Sequence, residues 1–178
     1  MRGLILTGAL GSGKTTAQLT LVREHGFWTP TTVTTRVVAE HEKFLTRVAL
    51  EDLISGAVQK KYFLPFRFGQ HWYAWPTQDF ERLLDNAPGR AVVNVRPYTA
   101  LLLSAFAFDL IPVWLWTDDQ SLRQRLDERS ATRDVDSELS LIRQSQDQDD
   151  RSYEAFFLHR LHSDDTVIRS LLRLVGTE

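Results

Sequence analysis

A glycine-rich segment near the start of the chain constrains its fold more than any other feature. Residues 8 to 15 read Gly-Ala-Leu-Gly-Ser-Gly-Lys-Thr and match the pattern G-x-x-x-x-G-K-[ST]. An apolar run at residues 3 to 7 precedes this segment, and residues 14 to 23 follow it with apolar side chains at helical spacing. The order of strand, glycine loop and helix predicts an α/β fold with a phosphate-binding loop.

The fixed positions of this loop have chemical roles in binding a nucleotide. Glycines let successive backbone N–H groups converge on phosphate oxygens, and the following helix adds the positive end of its dipole. Lys14 is expected to neutralise charge on the β- and γ-phosphates of ATP, and the Thr15 hydroxyl to ligate Mg²⁺. The residues expected to bind the nucleotide are Gly8, Gly11, Ser12, Gly13, Lys14, Thr15 and Thr16.

Alternating strand and helix patterns predict one domain, residues 1–178, built on about five parallel strands. Apolar runs at 91–95 and 111–116 suit strands that are buried on both faces. The other predicted elements are a strand at 31–36, a short helix at 49–55 ended by Gly56, a β-hairpin or small meander at 60–75, a helix opened by Pro76 and Thr77, a long polar helix at 134–153, a strand at 158–162 and a closing helix at 165–175.

Composition limits the partners that such a domain can have. With 21 Lys and Arg against 23 Asp and Glu, the net charge of −2 gives no general basic field and disfavours a nucleic-acid partner. No apolar run is long enough to span a bilayer, and the apolar start of the chain is expected to be a strand and not a signal peptide. The absence of cysteine agrees with a cytoplasmic location. The sequence is compatible with a homodimer but does not predict one.

Phosphate binding alone does not choose between a kinase, a GTPase and a motor ATPase. The chain lacks the Asn-Lys-x-Asp sequence that reads guanine in GTPases, and its strand at 91–95 carries Asn94 where a motor has an acid. Of the three classes, the small kinase is therefore the one that the sequence favours. Such enzymes need arginines that stabilise the transferring phosphoryl group, and the candidates in an arginine-rich segment are Arg125, Arg129 and Arg133.

The chain resembles the guanylate kinase superfamily nearly end to end, and is closest in pattern to its ribose 1,5-bisphosphate phosphokinase branch. Residues 33–36, Val-Thr-Thr-Arg, resemble the family's T-T-R element, whose arginine binds the acceptor phosphate. Glu40-His41 falls where that branch has Glu-Asn-His, and Tyr73 lies where the family has a Tyr-Tyr-Gly segment. Residues 122–126, Arg129 and Arg143 resemble the lid.

The resemblance implies an acceptor-binding subdomain at 37–86 and a lid at 125–145 within a P-loop kinase fold. It implies catalytic roles for Lys14, Arg125, Arg129 and Arg143, and contact of Arg36 and Tyr73 with the acceptor phosphate. Asn94 and Arg96 follow a central strand, at the edge where α/β sheets bind ligands, so they are expected to contact the acceptor as well.

Departures from the family pattern narrow the choice of acceptor. Ala39 replaces a second arginine, and Pro65 stands where guanylate kinases read guanine with an acid. A plain guanylate kinase is therefore disfavoured, and the expected acceptor is another nucleoside monophosphate or a sugar phosphate. The alternatives are a kinase of hydroxymethylated bases in DNA and a non-catalytic guanylate kinase-like binding module. The aromatic residues available either to stack on an acceptor or to pack in the core are Phe66, Phe68, Trp72, Tyr73 and Trp75.

Overall fold

The structure is a computed structural model that describes residues 2–8, 11–38, 43–68, 70–85, 89–107, 109–129, 153 and 156–176. Within those ranges every helix is too short or too polar to cross a lipid bilayer. The helices and strands there are, in chain order, β1 (Gly3–Gly8), α1 (Lys14–Glu24), β2 (Thr32–Thr34), β3 (Leu45–Arg47), α2 (Leu50–Val58), β4 (Tyr62–Phe68), β5 (His71–Pro76), α3 (Thr77–Leu84), β6 (Val92–Asn94), α4 (Pro97–Phe106), β7 (Leu110–Trp116), α5 (Asp119–Arg129), β8 (His159–His162) and α6 (Val167–Leu174).

Four parallel strands form the central sheet, in the order β6, β1, β7, β8. All residues of β1 are buried, and Leu4 pairs with Val92 on one side and Ile111 on the other. A single parallel bridge between Trp28 and Ala91 extends the edge beside β6. The described part of the central sheet therefore has four full parallel strands, where the sequence pattern predicts about five.

Helices cover both faces of this central sheet. On one face Leu6 of β1 packs with Leu21 of α1 and Leu171 of α6. On the other face Ile5 packs with Leu103 of α4. Successive residues of a strand point to opposite faces, so each apolar residue of β1 meets a helix layer. The predicted α/β fold class, a parallel sheet flanked by helices, is confirmed.

A second, mixed sheet has the strand order β3, β2, β5, β4. Strand β2 pairs parallel with β3 and antiparallel with β5, and β4 and β5 form an antiparallel hairpin. The hairpin predicted at 60–75 is confirmed. The strand predicted at 31–36 exists as β2, but it belongs to this second sheet and not to the parallel one.

Helices α2 and α3 lie on opposite faces of the second sheet. Leu53 of α2 packs against Val33 and Ala74. Phe80 of α3 stacks on Trp75, with ring centroids 5.8 Å apart. Alternation along β5 separates these contacts, because Ala74 and Trp75 point to opposite faces. One face is closed by α2, and on the other face Trp75 and Phe80 pack in one core cluster with Ile5 of the central sheet.

Gly56 lies inside helix α2, so the prediction that the helix ends there is wrong. A Cβ atom at Gly56 would lie 2.4 Å from a ring carbon of Tyr62, which shows that glycine is required for packing. The helix ends two residues later. The N–H of Lys61 bonds the Gly56 carbonyl at 2.8 Å, that of Lys60 bonds Ala57, and Lys60 has φ 58°. This is a Schellman ending with lysine in the position that glycine usually occupies.

The later elements agree with the sequence pattern where the structure describes them. The strand predicted at 158–162 is β8, and the closing helix is α6. The polar helix predicted at 134–153 lies outside the described residues, apart from Tyr153.

Candidate functional site

The glycine loop fits closely between β7 and the segment that follows β8. Gly8, Gly11 and Gly13 have φ values of 130°, 78° and 82°, which side-chain-bearing residues rarely adopt. A Cβ atom at Gly8 would lie 2.0 Å from the Leu115 carbonyl oxygen, and one at Gly13 would lie 2.4 Å from Ser163 Oγ. The loop can therefore take this shape only with glycine at these positions.

The side chain of Lys14 turns back into the loop. Its Nζ donates to the Gly8 carbonyl at 2.9 Å and to Ser12 Oγ at 3.4 Å. Helix α1 begins at Lys14 with Gly13 as its N-cap, so the loop joins the positive end of the helix dipole. The ammonium group and the helix terminus place two sources of positive potential at the same point.

Thr15 links the start of α1 to the carboxyl end of β6. Asn94 Nδ2 donates to Thr15 Oγ1 at 3.2 Å. In the ranges that the structure describes, no group of three or more His, Asp or Glu side chains could hold a metal ion. Thr15 also lines a cleft beside the glycine loop, where its hydroxyl is exposed.

That cleft, with a volume of about 290 Å³, lies between the central sheet and the second sheet. It brings the four residues predicted to contact the acceptor together with Lys14 and Thr15. The described residues that line it are Lys14, Thr15, Gln18, Leu19, Thr29, Pro30, Thr32, Arg36, Lys43, Phe44, Leu45, Phe66, Tyr73, Trp75, Val93, Asn94, Val95 and Arg96. Four of these residues are Lys or Arg, and none is Asp or Glu.

Aromatic rings of the second sheet form one wall of the cleft. Phe66 and Tyr73 stack with centroids 5.4 Å apart and planes at 16°. Trp75 lines the cleft and also packs in the core against Phe80. Trp72 is excluded from the wall, because it points to the opposite face and packs in the cluster beneath α2. The side chain of Phe68 is not among those described.

Gln18 was missed by the sequence analysis, although it lies one helical turn after Lys14. Its side chain is only 8% exposed, lines the cleft, and donates through Nε2 to Thr29 Oγ1 at 2.7 Å. Residues four apart share one helix face, so the position of Lys14 was a usable signal. Lys43 was missed too, and it lines the same cleft.

Among the predicted lid arginines, Arg125 is the one whose side chain the structure describes. Its guanidinium donates to the Gly11 carbonyl at 3.3 Å, and also to the carbonyl and hydroxyl oxygens of Ser163. It therefore joins α5 to the glycine loop. The side chain of Arg129 and all of Arg133 and Arg143 lie outside the described residues, as does most of the predicted lid at 125–145.

A second cleft, of about 320 Å³, lies on the far side of α1. Gly13, Thr16, Arg125, Ser163 and Asp164 are among its lining residues. The two clefts lie on either side of the start of α1. Thr16 therefore faces the second cleft, while Thr15 faces the first.

His162 connects the segments that precede α5 and α6. Its Nε2 lies 3.1 Å from Asp118 Oδ2, and its Nδ1 lies 3.3 Å from Asp164 Oδ2. Hydrogen bonds from the backbone and hydroxyl of Ser121 hold the pKa of Asp118 well below its ordinary value. Bonds from the hydroxyl and backbone of Thr166, with a smaller contribution from His162, lower the pKa of Asp164 to about 2. Both carboxylates therefore stay ionised, and Asp164 also lines the second cleft.

Comparison with known proteins identifies a fold but no sequence family. No protein-family model matches the chain, and no curated protein does. Guanylate kinase from Anaplasma phagocytophilum is similar in structure, with a TM-score of 0.66 at 14% identity over 99% of this chain and 88% of that one. An uncharacterized protein from Eubacterium ventriosum has a TM-score of 0.56 at 13% identity over all of both chains. Shikimate kinase from Bacteroides thetaiotaomicron has a TM-score of 0.50 at 14% identity over 98% of this chain and 95% of that one.

Proposed function

We propose that this chain, which has a P-loop kinase fold, transfers the γ-phosphoryl group of ATP to a small phosphorylated acceptor. The observation that supports the proposal best is the shared cleft, in which Lys14 and Thr15 of the glycine loop face Arg36, Tyr73 and Arg96. Donor-binding and acceptor-binding groups thus line one space, as an in-line transfer between two phosphorylated molecules requires.

On the donor side, the glycine loop and Lys14 bind the phosphates of ATP. Their backbone N–H groups and the start of α1 supply positive potential to the β- and γ-phosphate oxygens. The ammonium of Lys14 exchanges its present contact with the Gly8 carbonyl for phosphate oxygens when ATP binds. Mg²⁺ would be held in part by Thr15 Oγ1 and would neutralise charge on the phosphates.

On the acceptor side, positive charge and a flat aromatic face select the ligand. Arg36 and Arg96 suit an anionic group, and the stacked rings of Phe66 and Tyr73 suit the face of a base or a sugar. The charged side chains among the described lining residues are all Lys or Arg, which suits binding of a phosphate. The acceptor is therefore a nucleoside monophosphate or a sugar phosphate, and the resemblance to the ribose 1,5-bisphosphate phosphokinase branch favours the latter.

The reaction consists of one displacement at phosphorus. An acceptor oxygen forms a bond to the γ-phosphorus, the bond from that phosphorus to the bridging oxygen breaks, and ADP leaves. Arg125 is already at the glycine loop, and Arg129 and Arg143 are proposed to join it around the transferring group. A chain that uses ATP and has no cysteine fits a cytoplasmic location.

The test is Mg²⁺-dependent ADP formation from ATP with a panel of nucleoside monophosphates, ribose phosphates and hydroxymethylated oligonucleotides. We expect stimulation by one small acceptor. Lys14→Ala should lower turnover by about 100-fold or more, since it removes transition-state charge stabilisation. Arg36→Ala should raise the acceptor KM by about 10-fold or more and leave the ATP KM unchanged, because a charge-assisted hydrogen bond is lost on one side only.

Arg67→Ala is the matched control for Arg36→Ala, because Arg67 is exposed on β4 and does not line the cleft. Equal effects of Arg36→Ala on both substrates would reject the acceptor assignment. Stimulation by the oligonucleotides alone would replace the small acceptor with a DNA base. ATP binding without turnover on any acceptor would favour a non-catalytic binding module.

A further inference from the structure

The outer face of α2 carries a stripe of exposed apolar side chains. Leu50 is 40% exposed, Ile54 is 54% exposed and Val58 is 80% exposed. Residues at spacings of four lie along one side of a helix, so these three form a continuous line, here called the α2 stripe. A line of branched aliphatic residues on a nine-residue helix is an unusual solvent-facing surface.

The opposite face of α2 already supplies the packing that holds this helix on the second sheet. Leu53 is buried against Val33 and Ala74, and Gly56 fits against the ring of Tyr62. The α2 stripe is therefore not needed to bind the helix to its own sheet. It also lies on the side of the second sheet away from the cleft, where it is clear of the proposed acceptor.

Charges at the two ends of α2 identify the occupant of this surface. Glu51 and Asp52 lie in the first turn, and Lys60 and Lys61 follow directly after the helix. All four side chains are exposed. One end of α2 is therefore acidic and the other basic. A surface of this kind is complementary to itself when it is turned through 180° about its middle.

We propose that a second copy of this chain docks on the α2 stripe, with the two α2 helices antiparallel about a two-fold axis near Ile54. In that arrangement Leu50 of each copy meets Val58 of the other, and each acidic first turn lies beside the lysines of the other copy. A parallel arrangement would place like charges together at both ends, which is unfavourable. Only the antiparallel pairing satisfies the apolar and the charged residues at once.

The backbone of Lys60 agrees with a role for its charge. Its φ of 58° is a left-handed conformation that is energetically unfavourable for a side-chain-bearing residue. Glycine would avoid that cost. The lysine places a positive charge at the end of the stripe instead.

Sedimentation velocity on the full chain tests the proposal, from about 1 to about 100 µM, the range in which small interfaces dissociate. We expect a concentration-dependent dimer. Ile54→Asp should leave a monomer at every concentration, because it buries two carboxylates at the axis. Phe106→Asp is the matched control, since Phe106 is 67% exposed on α4, away from α2, and it should keep the dimer.

Charge reversal tests the antiparallel geometry. Glu51→Lys with Asp52→Lys gives two basic ends, and Lys60→Glu with Lys61→Glu gives two acidic ends, so each double variant alone should be a monomer. An equimolar mixture of the two should form a heterodimer, and the chain with all four changes should form a homodimer again. Thermal unfolding of each variant shows whether it is folded.

A wild-type chain that stays monomeric at the highest concentration overturns the proposal, whether or not another protein binds the stripe. A dimer that survives Ile54→Asp overturns it too, because its interface would lie elsewhere. Failure of the fourfold charge reversal to restore a dimer rejects the antiparallel arrangement.

Discussion

The packing of α2 on β4 leads to a stability prediction whose sign depends on one neighbouring ring. Gly56 lies in the helix with the Tyr62 ring against it, and a new Cβ would lie 2.4 Å and 2.5 Å from two ring carbons. In an open helix interior, replacing glycine with alanine stabilises by about 1 kcal/mol. Forcing an extra methyl into a packed site costs about 1–3 kcal/mol. Gly56→Ala should therefore be destabilising by about 1 kcal/mol.

The Tyr62→Val background should reverse that sign. Valine, like tyrosine, has a high strand propensity but has no ring, so the alanine methyl at position 56 no longer meets those atoms. The helix propensity then acts alone, and Gly56→Ala should stabilise the Tyr62→Val chain by about 1 kcal/mol. The double-mutant cycle should give a coupling of about 2 kcal/mol, within the range expected for residues in contact.

Calorimetric or circular dichroism melting of the four chains measures this cycle. For a domain of this length, about 1 kcal/mol corresponds to a Tm change of about 2–4 °C. Gly56→Ala should thus lower the Tm of the wild-type chain and raise that of Tyr62→Val. A rise of equal size in both backgrounds would refute the reasoning, because it would mean that Gly56 does not face Tyr62.

Three further predictions concern the site and its surroundings. Gly13→Ala should weaken MgATP binding by at least about 10-fold in calorimetric titration, because residue 13 has φ 82° and its Cβ would collide with Ser163. Unchanged affinity would contradict the loop conformation described above. Gln18→Leu should raise the acceptor KM without changing that of ATP, since the amide bonded to Thr29 lines the cleft proposed to hold the acceptor. An equal rise in both constants would contradict a contact of Gln18 with the acceptor alone. Asp164 has a folded-state pKa of about 2, below its ordinary value, so its stabilising effect is fully present above about pH 4 and is lost as the pH falls towards 2. The Tm difference between wild type and Asp164→Asn should shrink over that interval. A Tm difference that stays constant with pH would contradict this titration of Asp164. Asp165→Asn, at the neighbouring carboxylate, is the control.

The sequence predicts features that depend on local backbone chemistry. The glycine loop was predictable because its positive φ values restrict residue type at Gly11 and Gly13 and because a strand and a helix flank it. Apolar runs likewise predict the buried strands β6 and β7. Gly56 was misread because a glycine near the end of a helical pattern is typical both of a helix ending and of close packing against a neighbour.

Features that depend on contacts between residues far apart in the chain could not be predicted from the sequence. Ser163 and Gly13 are far apart in the chain, and nothing in either segment shows that they touch. Alternation along β5 predicts that Trp72 and Tyr73 lie on opposite faces, but only the packing of α2 decides which face lines the cleft. The mixed pairing of β2 depends in the same way on strands that come later in the chain.

The contacts around the glycine loop also determine when, during synthesis, the loop can first take its folded shape. Gly8 lies against the Leu115 carbonyl, and Gly13 lies against Ser163, so the loop takes its shape from segments made about a hundred or more residues later. Strand β1 is flanked by β6 and β7, both of which also leave the ribosome after it. A nascent chain therefore contains the complete sequence motif long before the loop can take its folded conformation. Affinity for nucleotide should appear only once the segment after β8 has been released.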